Sequence, residues 1–345
     1  MKIGILTFHN ADNYGAVLQC YALQEYVKSI VSKDDEVCVV NYRSENIEDL
    51  YKLFPKAFGF GIKSIIKDIF RSFHTIKRYV NFQKFRKKHL HLGSDSLSEY
   101  NLIIYGSDQI WNTSIRDEVY FGSNFFGRKI AFSASCGCEF EISEKIMSLV
   151  NQFENISCRE SSFAEKLSHI IGKKIPTSCD PVFLMESWDK IALPPKESNY
   201  ILLYIIMPNP HIEREAIRLA KIMNKKVIRI DWINNVNYIF DTKIKYKIAI
   251  PIDKFLGYIA NADLILTTSF HGTAFSILFR KPFYVFKLNN RMDRIVDLLS
   301  KIKLDYLYVD KITSNAIPTN IYTDIVEEAL SIYINYSKSL LKSFL

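Results

Sequence analysis

The segment Thr267-Thr268-Ser269-Phe270-His271-Gly272-Thr273-Ala274 gathers hydroxyls, an imidazole and a glycine directly after the apolar run 263–267. If a helix starts there, its free N–H groups and dipole favour an anion such as phosphate, and His271 adds charge or a proton. Arg291 and Arg294 open another helical pattern beyond 283–286. They either reach the same anion or stand in solvent. Ser157-Cys158-Arg159-Glu160 follows a further run. Its guanidinium suits a carboxylate or phosphate by paired hydrogen bonds, or else an ion pair with Glu160 or Glu165. Two more polar turns follow apolar runs near the N-terminus. One is His9-Asn10-Ala11-Asp12-Asn13-Tyr14-Gly15-Ala16, where Asp12 and Asn13 either bind a polar ligand or cap the next helix. The other is Gly106-Ser107-Asp108-Gln109-Ile110-Trp111-Asn112. Asp108 there is a candidate general acid or base, or a ligand for sugar hydroxyls beside Trp111, or the start of an Asx-turn.

Other chemistries lack their signatures. There is no G-x-G-x-x-G, no P-loop, no G-x-S-x-G, no C-x-x-C and no H-x-x-x-H pair. Cys136-Gly137-Cys138 is too tightly spaced for a usual zinc half-site. The expectation is a protein that uses neither a metal nor a bound cofactor.

These turns need scaffolds. Strands are expected over 2–8, 37–41, 101–105, 129–134 and 154–158, and again over 200–206, 226–231, 263–267 and 283–286. Helical patterns lie between them, at 14–30, 63–90, 143–151, 160–171, 211–223, 252–261, 270–279, 291–301 and 321–345. Alternating strands and helices argue for parallel sheets joined by right-handed crossovers. Two such series predict two Rossmann-like domains, joined in the polar stretch 186–198 that carries Pro194-Pro195. The expected division is residues 1–187, 188–320, and a final helix 321–345 packing back on the first domain.

The 345 residues, 48% hydrophobic and 24% charged, exclude a disordered chain, a collagen and a coiled coil. The net charge of +8 fits an anionic substrate or surface. It is concentrated in 61–90, where nine Lys/Arg stand against the single acid Asp68, with Phe70, Phe73, Phe82 and Phe85 interleaved. That segment is either a solvated basic helix or a peripheral contact with an anionic membrane. Nucleic acid is not expected, since no binding motif accompanies the charge. Six cysteines, none in a C-x-x-C pair, fit reduced thiols. With no apolar run of membrane-spanning length and no leader pattern, the expected location is the cytoplasm.

The ordered set KIGILTFHNADNYGAVLQCYALQ, YGSDQIWN, IAFSASCG, SCRESS, CDPVFL and TTSFHGTAFSILFRKPF resembles the polysaccharide pyruvyl transferase family over about residues 2–300. The resemblance implies an α/β, GT-B-like fold, with two Rossmann-like domains whose parallel sheets face a cleft. It implies transfer of the pyruvyl group of phosphoenolpyruvate to a sugar of a surface polysaccharide or its lipid-linked precursor, with a cyclic ketal as product. Matched by position, His271, Arg159 and Arg294 are the donor-site residues, with Ser269, Gly272 and Thr273 around them. Ser269 stands where some members carry arginine, which throws more of the phosphate's charge onto Arg159 and Arg294. Asp108 or Asp12 is the expected base, and Asn10, Asn13, Ser107 and Trp111 the acceptor contacts. The alternatives are a GT-B glycosyltransferase using a nucleotide sugar and a non-catalytic glycan-binding relative.

Overall fold

A computed structural model describes residues 1–50, 62–137, 142–231, 243–288, 293–312 and 318–345. Five short apolar stretches form the first sheet: β1 (Lys2–Leu6), β2 (Glu36–Val39), β3 (Leu102–Tyr105), β4 (Arg128–Ala134) and β5 (Asn155–Cys158). All pair in parallel, in the order β2-β1-β3-β4-β5. The second sheet holds β6 (Tyr200–Tyr204), β7 (Lys226–Asp231), β8 (Ile244–Ile248), β9 (Leu264–Thr267), β10 (Phe283–Phe286) and β11 (Tyr308–Val309). It too is parallel, in the order β11-β10-β9-β6-β7-β8. Strands such as LIIY and LILT are buried along their whole length, because helices cover both faces of a parallel sheet.

The crossovers are α1 (Tyr14–Ile30), α2 (Glu45–Leu50), α3 (Ile62–His89), α4 (Glu144–Val150) and α5 (Ser161–Ile171) in the first half. The second half adds α6 (Pro210–Ile222), α7 (Ile252–Ala260), α8 (Phe270–Leu278), α9 (Asp293–Lys301) and α10 (Asp324–Phe344). β8 and β11 were not expected. β8 reads Ile-Lys-Tyr-Lys-Ile and lies at the sheet edge with only Ile244 fully buried. Lysines on alternate positions blunt an edge, and they also hide the apolar run that marks a central strand.

In each sheet the chain reverses its direction of travel once, between β1 and β3 and between β6 and β9. Ligands in open α/β sheets bind outside the carboxyl ends of strands at such switch points. The two halves meet there. Tyr14, first residue of α1, stacks on Phe255 of α7 with ring centroids 4.2 Å apart. Its hydroxyl donates to the Ile250 carbonyl at 2.8 Å, and Asn81 of α3 donates to the Ala249 carbonyl at 2.8 Å. α10 reaches the first half, where Ser337 Oγ accepts from Cys179 N at 2.9 Å.

Helix α3 has a buried face made by Thr75, Arg78, Phe82, Phe85 and Arg86. Phe82 and Phe85 therefore belong to the core and take no part in a membrane contact through 61–90. The described cysteines, Cys20, Cys38, Cys136, Cys158 and Cys179, are buried and free of disulfides. Among the described residues no helix is long and apolar enough to cross a membrane.

Candidate active site at the seam

The turn after β9 is built by its own hydroxyls. Thr267 Oγ1 accepts from Ser269 N at 3.0 Å, and Ser269 Oγ caps α8 by accepting from Gly272 N at 3.3 Å. Thr273 Oγ1 donates to the Ser269 carbonyl at 3.0 Å. The Gly272 N–H and the Thr273 hydroxyl are thus engaged inside the turn. What the turn presents is the imidazole of His271. A Cβ on Gly15, in the first turn of α1, would lie 1.9 Å from His271 Nδ1. Glycine at position 15 is what lets the ring of one half seat against the helix of the other.

On its other side, His271 Nε2 lies 3.5 Å from Asp180 Oδ2. Asp180 starts the 3-10 turn Pro181–Leu184, its Oδ1 accepting from Val182 N at 3.1 Å. Its Oδ2 also takes Arg159 Nη1 at 2.5 Å. Burial pushes the Asp180 carboxyl up, but His271 and Arg159 outweigh it and hold it well below the usual carboxylate range. Burial likewise works against the Arg159 charge, and Asp180, Glu160 and Asp108 more than restore it.

Arg159 follows β5 and is 2% exposed. Arg294 comes from α9 in the opposite half. Both guanidiniums lie over the ring of Phe270, at 4.9 Å and 5.7 Å from its centroid. Arg294 Nε is 3.8 Å from Glu160 Oε1, and the Gln109 amide oxygen accepts from Arg294 Nη2 at 2.7 Å. Asp108 Oδ1 stands 3.8 Å from Arg159 Nη2. The Asp108 backbone is left-handed, with φ 72°. Asp108 Oδ1 also accepts from Gln109 N at 2.9 Å. Glu160 completes the set, accepting the Ser135 hydroxyl.

Two guanidiniums, Arg159 and Arg294, and the imidazole of His271 therefore face three carboxylates, Asp108, Glu160 and Asp180. Among the described residues, four buried atoms in this cluster have no hydrogen-bond partner: Arg159 Nε and Nη2, His271 Nε2 and Glu160 Oε2. Buried polar groups are rarely left so, and unspent donors on cationic groups are anion receptors in wait.

Other sequence candidates sit elsewhere. Asp12 is buried and its Oδ1 accepts from Arg86 Nη2 at 2.9 Å, so it anchors α3 and is not placed to take a proton from a substrate. Trp111 is fully buried, with Nε1 donating to the Tyr120 carbonyl at 2.9 Å. It packs against Phe121, Phe153 and Phe163 in the core and offers no sugar platform. Ser107 is also fully buried and donates to the Ser133 carbonyl at 3.0 Å. Asn13 caps α1, accepting from Gly15 N at 2.9 Å. Asn10 and Asn13 are half-buried at the same strand-end edge. Arg291 lies outside the described residues. Asp180, Gln109 and Phe270 were missed. Only the CDPVFL motif carried a signal for Asp180, a carboxylate before proline at a cap position.

Two parallel-sheet halves with a polar site across their seam define the GT-B class of enzyme fold. A solved structure agrees in fold. MnaA of S. aureus, solved with UDP, is 13% identical over 98% of this chain and 90% of its own, with a TM-score of 0.51. The UDP-GlcNAc 2-epimerase of Neisseria meningitidis, bound to UDP-GlcNAc, is 12% identical over 99% and 94%, with a TM-score of 0.49. At such identities the likeness is one of fold. The family model of the polysaccharide pyruvyl transferases matches residues 13–290, and the chain belongs to that family. No curated protein matches it.

Proposed function

We propose that the protein transfers the pyruvyl group of phosphoenolpyruvate to a sugar of a surface polysaccharide or its lipid-linked precursor, on the cytoplasmic side where that donor is made. Family membership supports the reaction class. The observation that carries the donor is the set of buried polar atoms without a hydrogen-bond partner on the Arg159 guanidinium and the His271 imidazole, with Arg294 beside them. Phosphoenolpyruvate carries a phosphate and a carboxylate, and two guanidiniums plus an imidazole answer both.

In this reading Arg159 and Arg294 hold the donor's two anionic groups, and His271 holds the phosphate. Protonation of the enol methylene carbon makes the neighbouring carbon cation-like. A sugar hydroxyl adds there, and its proton balances the one given to carbon. The carbon–oxygen bond to phosphate then breaks, with His271 assisting the departing oxygen. A second hydroxyl of the same sugar closes the ketal, and its proton leaves with the phosphate. Asp108, at the lip of the cluster, is the base for the first hydroxyl, with Asn10 and Asn13 near the acceptor. Asp180, held ionised, keeps His271 and Arg159 in place. Pairing two substrates in one seam supplies up to ~7–11 kcal/mol of the barrier reduction.

The test is incubation with phosphoenolpyruvate and a panel of sugars, following phosphate release and the mass of the sugar product. Absence of calorimetric binding of phosphoenolpyruvate removes the reading.

A further inference from the structure

Helix α3 carries a second face that the core does not use. Ile69, Phe73, Ile76 and Val80 are spaced by four, three and four residues, so they lie in one line along the helix. They are 60%, 62%, 43% and 42% exposed. The opposite line, Thr75, Arg78, Phe82, Phe85 and Arg86, is buried. Exposed lysines Lys77, Lys84, Lys87 and Lys88 flank and continue the apolar line, and residues 69–89 contain no acid. A scattered exposed apolar residue needs no explanation, but a line of four on one helix beside an unopposed basic flank does.

We infer that this outer face of α3 lies in the interface of an anionic membrane. Apolar side chains of this size insert at the headgroup–acyl boundary while lysines at the flanks meet anionic lipid. The charge singles out lipid over an acidic protein, because the exposed line itself is apolar and calls for a partner with both an anionic surface and an oily interior. The inner face adds a reason for the placement. Arg86 Nε donates to the His9 carbonyl at 2.9 Å, and its Nη2 donates to the Ala11 carbonyl at 2.7 Å. The same helix that would rest on the membrane thus grips the loop bearing Asn10 and Asn13. Resting on the proposed function, this names the acceptor's carrier as a lipid held at that surface.

Flotation of the full chain with vesicles of phosphatidylglycerol and phosphatidylcholine tests the contact without any turnover. The wild type floats with them at low salt and stays down with phosphatidylcholine alone. The Lys84→Glu/Lys87→Glu/Lys88→Glu variant loses flotation, each lysine being worth about fivefold in partition. Phe73→Ser/Val80→Ser weakens it about tenfold or more, with the thermal midpoint unchanged, since these side chains leave the core intact. A wild type that stays at the bottom of the gradient overturns the inference, as does equal flotation on neutral vesicles. So does a wild-type dimer that Phe73→Ser/Val80→Ser turns into a monomer, for then a second copy covers the stripe. Failed flotation leaves phosphoenolpyruvate turnover untouched, and failed turnover leaves the membrane contact standing.

Discussion

A methyl group on residue 15 has no room while His271 keeps its position. Gly15→Ala should therefore force the imidazole out of its seat between α1 and Asp180, with little change elsewhere in α1, where alanine is a better helix former. The expected result is a fall in kcat/KM of about tenfold or more, near 1.4 kcal/mol, at nearly unchanged thermal stability. Activity within about twofold of wild type would show that the ring's seat is not essential. His271→Ala should abolish transfer and leave the fold intact. Retention of more than about a tenth of kcat/KM, a loss below ~1.4 kcal/mol, counts against its role. At this scale His271, Arg159 and Arg294 were legible because strand ends and a helix start give polar residues few structural duties. Trp111 was misread, since an aromatic beside a carboxylate looks the same whether it faces a sugar or fills a core. Asp180, Gln109 and Phe270 join the cluster only through folding, from positions distant along the chain.

Among the elements, the loop after β1 is held by α3 from behind. Arg86 and Asp12 form a buried pair, each 4% exposed or less at the side chain. Removing one partner strands the other's charge, so Arg86→Met should cost about 3–5 kcal/mol in chemical denaturation. Arg86→Met/Asp12→Asn should recover part of that, and a double variant no better than the single would mean packing, not charge, sets the cost. His9 in the same loop is buried, and burial, with Arg86 and Arg43 adding to it, lowers its pKa from 6.5 to about 4. Between those values the unfolded chain binds a proton that the folded one refuses. Stability should thus fall as pH drops from about 6.5 to 4, by up to about 3 kcal/mol from this group. His9→Asn should flatten that slope, and an unchanged slope excludes His9 as its source. Asp180 acts in a lower window, because a depressed carboxyl gives up its contribution only as pH falls below the ordinary carboxylate range. Strand runs and helix periods were legible almost to the residue, as with α1 at 14–30 and β10 at 283–286. Edge strands β8 and β11 were not, because an edge buries too little to demand a continuous apolar run.

For the molecule as a whole, the site exists only where the halves meet, with Arg159 and Asp108 from one sheet and His271 and Arg294 from the other side. A donor bound across the seam should stabilise both halves together, by about 2.7 kcal/mol at a hundredfold excess over its dissociation constant. The cysteines supply a way to watch one half. All six fall between residues 20 and 179, and the second sheet carries none. Burial pushes the thiols of Cys20 and Cys158 up and that of Cys179 up to about 12, so the reactive thiolate scarcely forms in the folded chain. In a Cys138→Ser background, which removes the cysteine outside the described residues, an alkylating reagent should modify the protein only as fast as the first half opens. The labelling trace then serves as a clock for that half, together with the packing of α10 over Cys179. Phosphoenolpyruvate should slow the clock, and a trace indifferent to it would mean that donor binding leaves the first half as free to open as before.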